Sequence, residues 1–171
     1  MDRIPANNVI GKFAKIRFDN PNESFLIEKS LSLNATLDKR VAYEGASFVI
    51  VATPTNYDHN TNCFDTRFVD CVVSDALELT SDALVVIKST IPVGHTFFLQ
   101  QKHDTERVIF SPEFLREGQA LMDNLYPSRI IVGSHCEMGK QFGGLLVEGA
   151  KKSAIEILFT RSTEAEAVKL F

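Results

Sequence analysis

Two carboxylates four residues apart, Glu113 and Glu117, sit in the stretch Ser111-Pro112-Glu113-Phe114-Leu115-Arg116-Glu117-Gly118, just after the apolar run Val108-Ile109-Phe110. In a helix that spacing puts both acids on one face. Such a pair can hold or activate a water, with one member as general base. It can equally be the solvated acidic start of a helix, and spacing alone leaves both readings open. Other polar groups occupy comparable places. Thr53-Pro54-Thr55 follows Ile50-Val51-Ala52, Lys88-Ser89-Thr90 follows Val86-Ile87, and Gly133-Ser134 follows Ile131-Val132. Hydroxyls and prolines are ordinary loop formers. Repeated at four successive strand ends, they suggest a ligand-lined rim, because open α/β sheets bind ligands outside the carboxyl ends of their strands.

The elements that must hold these groups follow from hydrophobic pattern. Short apolar runs predict strands at Phe48–Ala52, Ala83–Ile87, Val108–Phe110, Ile130–Val132 and Ile155–Phe159. Between them, helical spacing predicts a helix after Asp65, its expected N-cap, with Phe68, Val69, Val72, Val73, Ala76 and Leu77 recurring. Further helices are expected at about Thr96–His103, Glu117–Asn124 and Gly139–Lys151, and in the run from Glu164 to Phe171. Strands alternating with helices imply an α/β fold with a mostly parallel sheet covered on both faces. Residues 1–24 carry no clear pattern and stay unassigned.

Composition narrows the class. The 171 residues are 44% hydrophobic, enough for a single core, with a formal net charge of −4 that argues against nucleic-acid binding. No apolar run approaches the ~20 residues that span a bilayer, so no membrane partner is expected. Cys63, Cys71 and Cys136 form no C-x-x-C, which fits a reducing cytoplasm better than a disulfide framework. His59, His95, His103 and His135 have no metal-ligand spacing, and no metal is expected. No G-x-G-x-x-G follows any strand.

The ordered succession Val49-Ile50-Val51-Ala52-Thr53-Pro54-Thr55-Asn56-Tyr57, Ile87-Lys88-Ser89-Thr90-Ile91-Pro92-Val93-Gly94 and Ser111-Pro112-Glu113-Phe114-Leu115-Arg116-Glu117-Gly118 resembles the UDP-glucose 6-dehydrogenases. It is similar, less tightly, to the wider UDP-glucose/GDP-mannose dehydrogenase family. The closing Ser162–Phe171 resembles the start of that family's central helix, and Asn124–Arg129 favours the UDP-glucose branch. The resemblance implies a partial Rossmann-like domain over 25–160 and the start of a linking helix over 161–171. It implies NAD as cofactor, UDP-glucose as substrate and a homo-oligomer in the full-length family. The implied reaction takes two hydrides in succession from C6 of UDP-glucose, giving UDP-glucuronate through an aldehyde held as a thioester on a cysteine. Carried over by motif, Thr90, Glu113 and Lys169 are the catalytic residues. Thr90 and Glu113 would hold the water network, and Lys169 would stabilise the oxyanion. Thr53, Pro54, Thr55, Ser89, Thr90 and Glu117 would border NAD, and Phe114, Leu115, Arg116, Glu117 and Lys169 the sugar nucleotide. The family's glycine-rich phosphate loop and its cysteine segment have no counterpart in these 171 residues. The chain is therefore expected to be an incomplete enzyme, inactive alone. The alternative is a non-catalytic nucleotide- or partner-binding module derived from one.

Overall fold

The computed structural model describes residues 34–59 and 63–171, so the unassigned segment 1–24 lies outside the described residues. The chain runs α1 (Lys39–Tyr43), β1 (Phe48–Val51), β2 (Tyr57–Asp58), β3 (Cys63–Phe64), α2 (Arg67–Leu79), β4 (Leu84–Ile87) and α3 (His95–Lys102). It continues with β5 (Val108–Phe110), α4 (Ala120–Leu125), β6 (Ile130–Val132), α5 (Glu137–Gly149), β7 (Ile157–Phe159) and α6 (Ser162–Leu170). All five predicted strands form, and every pairing among them is parallel.

The sheet order is β1-β4-β5, with Phe48 opposite Leu84 and Val85 opposite Val108. β6 pairs with β7, Ile130 opposite Ile157. The two pieces meet at their carboxyl ends. There the Gly133 N–H donates to the Phe110 carbonyl at 2.8 Å, and the Ser111 hydroxyl donates to the Ile131 carbonyl at 2.8 Å.

Side-chain alternation explains the two-faced cover. Successive strand residues point to opposite faces, and here Val49, Val51, Val85, Ile87, Val108 and Phe110 join one buried cluster with α2 and Leu99 of α3. Leu84, Val86, Ile109, Ile130 and Val132 join the other, under Phe142 of α5. Residues of β4 are buried without alternation, as a strand covered on both faces requires. In α2, Val69, Val72, Val73 and Ala76 repeat at helical spacing and are all buried. The mostly parallel sheet with helices on both faces is thus the architecture observed. α6 lies against α3 and the ends of β5 and β6.

Two local expectations are corrected, and two elements go beyond them. The helix expected from Glu117 to Asn124 begins only at Ala120, so Glu113 and Glu117 share no helical face. Pro112 opens the connection, and Gly118 at φ +74 adopts a left-handed turn that a continuous right-handed helix excludes. The N-cap of α2 is Thr66, not Asp65. The Asp65 carboxylate still accepts the Arg67 N–H at 3.2 Å and pairs with its guanidinium, which holds the acid down at about 2. Short α1, capped by Asp38, and the β2–β3 hairpin lack enough periodicity to be read from sequence.

Candidate active site

The turns after β1, β4 and β5 converge because their strands are parallel neighbours. After β1, the Val51 carbonyl accepts the N–H groups of both Lys88 and Ser89, at 2.8 and 3.2 Å, which locks the β4 turn beside the β1 turn. The buried Ser89 hydroxyl donates to the Thr53 carbonyl at 2.6 Å and lies 3.4 Å from the Thr53 hydroxyl. Thr53, Pro54, Thr55, Ser89 and Thr90 wall one cavity of about 300 Å³, which Glu113 and Lys169 close from the opposite side. Among the described residues the hydroxyls of Thr55 and Thr90 make no hydrogen bond.

A second cavity, also about 300 Å³, lies along the connection after β5 and is lined by Glu113, Phe114, Leu115 and Arg116 on one side and by Tyr126 to Ile130 on the other. Lys88, Glu113 and Leu115 line both cavities. The Arg116 guanidinium clamps Asp123 at 2.6 Å while its N–H donates to the same carboxylate at 2.8 Å, fixing the connection to α4. This pairing lowers the Asp123 carboxyl.

Charge concentrates on Glu113. The Lys88 ammonium stands 3.6 Å from its carboxylate, and the Lys169 ammonium donates to its backbone carbonyl at 2.6 Å. Burial pushes the Lys88 ammonium below the usual lysine range; Glu113 opposes this shift and Lys169 reinforces it. Lys169 also stands 5.6 Å over the Phe114 ring, and Arg129 stands 5.3 Å from the same ring.

Motif reasoning therefore named residues that the fold brings to one place: Thr53, Pro54, Thr55, Ser89, Thr90, Glu113 and Lys169 at one cavity, Phe114, Leu115 and Arg116 at the other. Glu117 is exposed and lines neither cavity. Two of the strand-end hydroxyls serve the fold instead. Ser111 is spent on the Ile131 carbonyl, and Ser134 accepts the Cys136 N–H at 3.1 Å ahead of α5.

Sequence reasoning missed two residues. Lys88 was visible only as one letter of a motif. Glu166 reads as one more acid on an exposed helix, yet it is fully buried. Its carboxylate accepts the N–H groups of Gly94 and Thr96 and the Thr96 hydroxyl, at 2.5, 2.9 and 2.5 Å. It thereby caps α3 and ties the loop carrying Thr90 to the helix carrying Lys169. The spacing of Glu166 and Lys169, on adjacent turns of one helix, is the only trace of this in the sequence.

Comparison with known proteins identifies the family. Residues 17–146 match the NAD binding domain of the UDP-glucose/GDP-mannose dehydrogenase family. A UDP-glucose 6-dehydrogenase of Campylobacter jejuni is 45% identical over 149 residues, covering 87% of this chain and 38% of the relative. One from Streptococcus pneumoniae is 46% identical over 159 residues, covering 90% and 40%. The chain thus spans about two fifths of the length of these relatives. Among solved structures, a UDP-D-ManNAc dehydrogenase of Pyrococcus horikoshii superposes over 94% of this chain and 39% of its own, with a TM-score of 0.73 at 22% identity, a likeness of fold. A UDP-glucose dehydrogenase of Pyrobaculum islandicum gives 0.64 at 29% identity, over 78% of this chain and 33% of that one. With the matched domain covering most of its length and two relatives above 40% identity, this chain belongs to the UDP-glucose/GDP-mannose dehydrogenase family and carries its NAD-binding domain.

Proposed function

We propose that this chain is the cofactor-side portion of an NAD-dependent UDP-glucose 6-dehydrogenase site, and that it does not turn over by itself. The observation that carries the reading is the convergence on Glu113. Glu113 lines two cavities, one walled by the strand-end hydroxyl residues and the other by Phe114, Leu115 and Arg116, with Lys169 of α6 bound to the Glu113 carbonyl.

The hydroxyl-walled cavity suits part of a nicotinamide dinucleotide. Thr55 and Thr90 offer uncommitted hydroxyls, and Ser89 with Thr53 gives a rigid small-residue wall that a planar ring can approach. When bound, NAD supplies a hydride acceptor for the sugar's C6. Glu113, with Thr90, would hold a water and take a proton from it, since its side chain is partly exposed and the residue lines both cavities. Lys169 lies within reach of charge developing on a substrate oxygen, and a fixed ammonium there stabilises an oxyanion. Phe114, Leu115 and Arg116 would line the sugar nucleotide, with the Arg116–Asp123 clamp keeping their backbone in place. Glu117 would take part only if the connection moved.

The inactivity of the chain alone follows from its nucleophile inventory. Cys71 and Cys136 are exposed and line neither cavity, and Cys63 belongs to β3. A thioester needs a thiolate at the reacting carbon. The same observation favours the second reading, a module that binds a nucleotide or partner without catalysis. Incubating homogeneous chain with UDP-glucose and NAD is expected to give no NADH, and calorimetry to give NAD affinity weaker than micromolar. Steady NADH formation overturns the inactivity. Saturable NAD binding without turnover favours the module.

A further inference from the structure

Lys88 has no role in the mechanism above, yet it is the most deeply placed charge of the site. Its side chain is only 10% exposed, and its backbone N–H donates to the Val51 carbonyl, which fixes its main chain beside the end of β1. Taking an ammonium out of water is unfavourable unless its three donors are met. Its ionic partner among the described residues is Glu113, 3.6 Å away, an ion-pair distance longer than a good hydrogen bond. Two other cations of the site have a partner of their own. Lys169 donates to the Glu113 carbonyl at 2.6 Å, and Arg116 is clamped to Asp123. Lys88, by contrast, lines both cavities.

We infer that Lys88 is a ligand-binding residue of this site, its ammonium receiving a carboxylate-class oxygen of the sugar where the two cavities join. The inference rests on the proposed reaction for the ligand's identity, because oxidation of a sugar's hydroxymethyl carbon to the acid level creates a carboxylate at the reacting carbon. An ammonium in a largely water-excluded position binds that group far better than the neutral hydroxymethyl it replaces. Lys88 thus distinguishes product-level from substrate-level oxidation state and favours retention of the oxidised sugar. A purely structural Lys88 would pair with Glu113 and ignore both.

The test is a side-chain NMR titration of the 171-residue chain carrying isotope-labelled lysine, with D-glucuronate and D-glucose as probes. Glucuronate is expected to shift the Lys88 ε signals saturably and at least tenfold more tightly than glucose. Lys88→Met is expected to abolish the preference and Lys88→Arg to retain it. Lys88 signals that glucuronate leaves unmoved overturn the inference, as does a preference that survives Lys88→Met. Should Lys88→Met fail to fold, the glucuronate-to-glucose comparison in the unsubstituted chain still decides. An NAD titration read at Thr53 and Thr55 runs alongside. An NAD response weaker than micromolar is expected; its complete absence with the glucuronate response intact counts against the cofactor reading and supports Lys88.

Discussion

At the scale of single residues, the site is a problem in placing charge where water is scarce. Glu113 is half-exposed and meets two ammonium groups by different means, one through its carboxylate and one through its backbone carbonyl. Burial disfavours the charged form of Lys88. A lysine whose folded value lies below its unfolded one destabilises the fold while both states are protonated. The penalty fades as pH rises through the folded value and is gone above the unfolded value near 10.5. Denaturant titrations are therefore expected to show the unsubstituted chain gaining stability relative to Lys88→Met across that alkaline window; parallel pH profiles would contradict it. Glu166 is a buried carboxylate with both oxygens hydrogen-bonded. Glu166→Ala strands two N–H groups and a hydroxyl, and is expected to cost about 2–4 kcal/mol in urea unfolding. A loss within ~0.5 kcal/mol, the range of ordinary surface changes, would show that the cap of α3 does not depend on it.

At the scale of elements, the join between β5, β6 and α6 decides how the site is held. Gly133 follows β6, and a Cβ there would stand 2.7 Å from the Ser162 Cα and 2.8 Å from the Phe110 carbonyl oxygen, both backbone. The Ser162 hydroxyl donates to the Gly133 carbonyl at 2.7 Å, so the start of α6 sits directly on the end of the sheet. Backbone cannot yield as a flexible side chain can. Gly133→Ala is expected to cost about 3 kcal/mol or more and to displace Lys169 with its helix. Gly144 is the control: it lies exposed within α5 and its Cβ would meet open space. Gly144→Ala should stabilise by up to ~1 kcal/mol. Equal effects in thermal unfolding would refute the account of the join.

At the scale of the whole molecule, apolar surface remains outside the two clusters. Phe68 on α2, Phe97 and Phe98 on α3 and Val168 on α6 are between 42% and 62% exposed. Among the described residues β1 pairs only with β4, leaving one edge of a β-branched strand. Open edges and exposed aromatic side chains both favour association with other chains. Concentration-dependent self-association is expected in size-exclusion chromatography with light scattering. A sharp monomer at all concentrations, with cooperative unfolding, would mean that this surface is covered. Among the described residues, no helix is long and apolar enough to cross a membrane.

The sequence by itself determined the strands, the parallel α/β class and the motif residues, because burial on two faces demands unbroken apolar runs and a parallel connection demands a helix between them. Val85, Ile87, Val108 and Phe110 could be read as core from their runs alone. Their division between two faces needed only the period of two. Tertiary structure alone decided which strand-end hydroxyls face a cavity, for Ser89 and Ser111 have the same chemistry and differ only in which carbonyl lies opposite. It also decided that Glu113 lines both cavities and Glu117 neither, since a left-handed Gly118 stops the helix that would have aligned them. Burial of Lys88 and Glu166 was beyond reach of any local pattern. A charge is tolerated inside only where partners from distant segments meet it, and those partners, 25 residues away for Lys88 and about 70 for Glu166, are brought close by the fold alone.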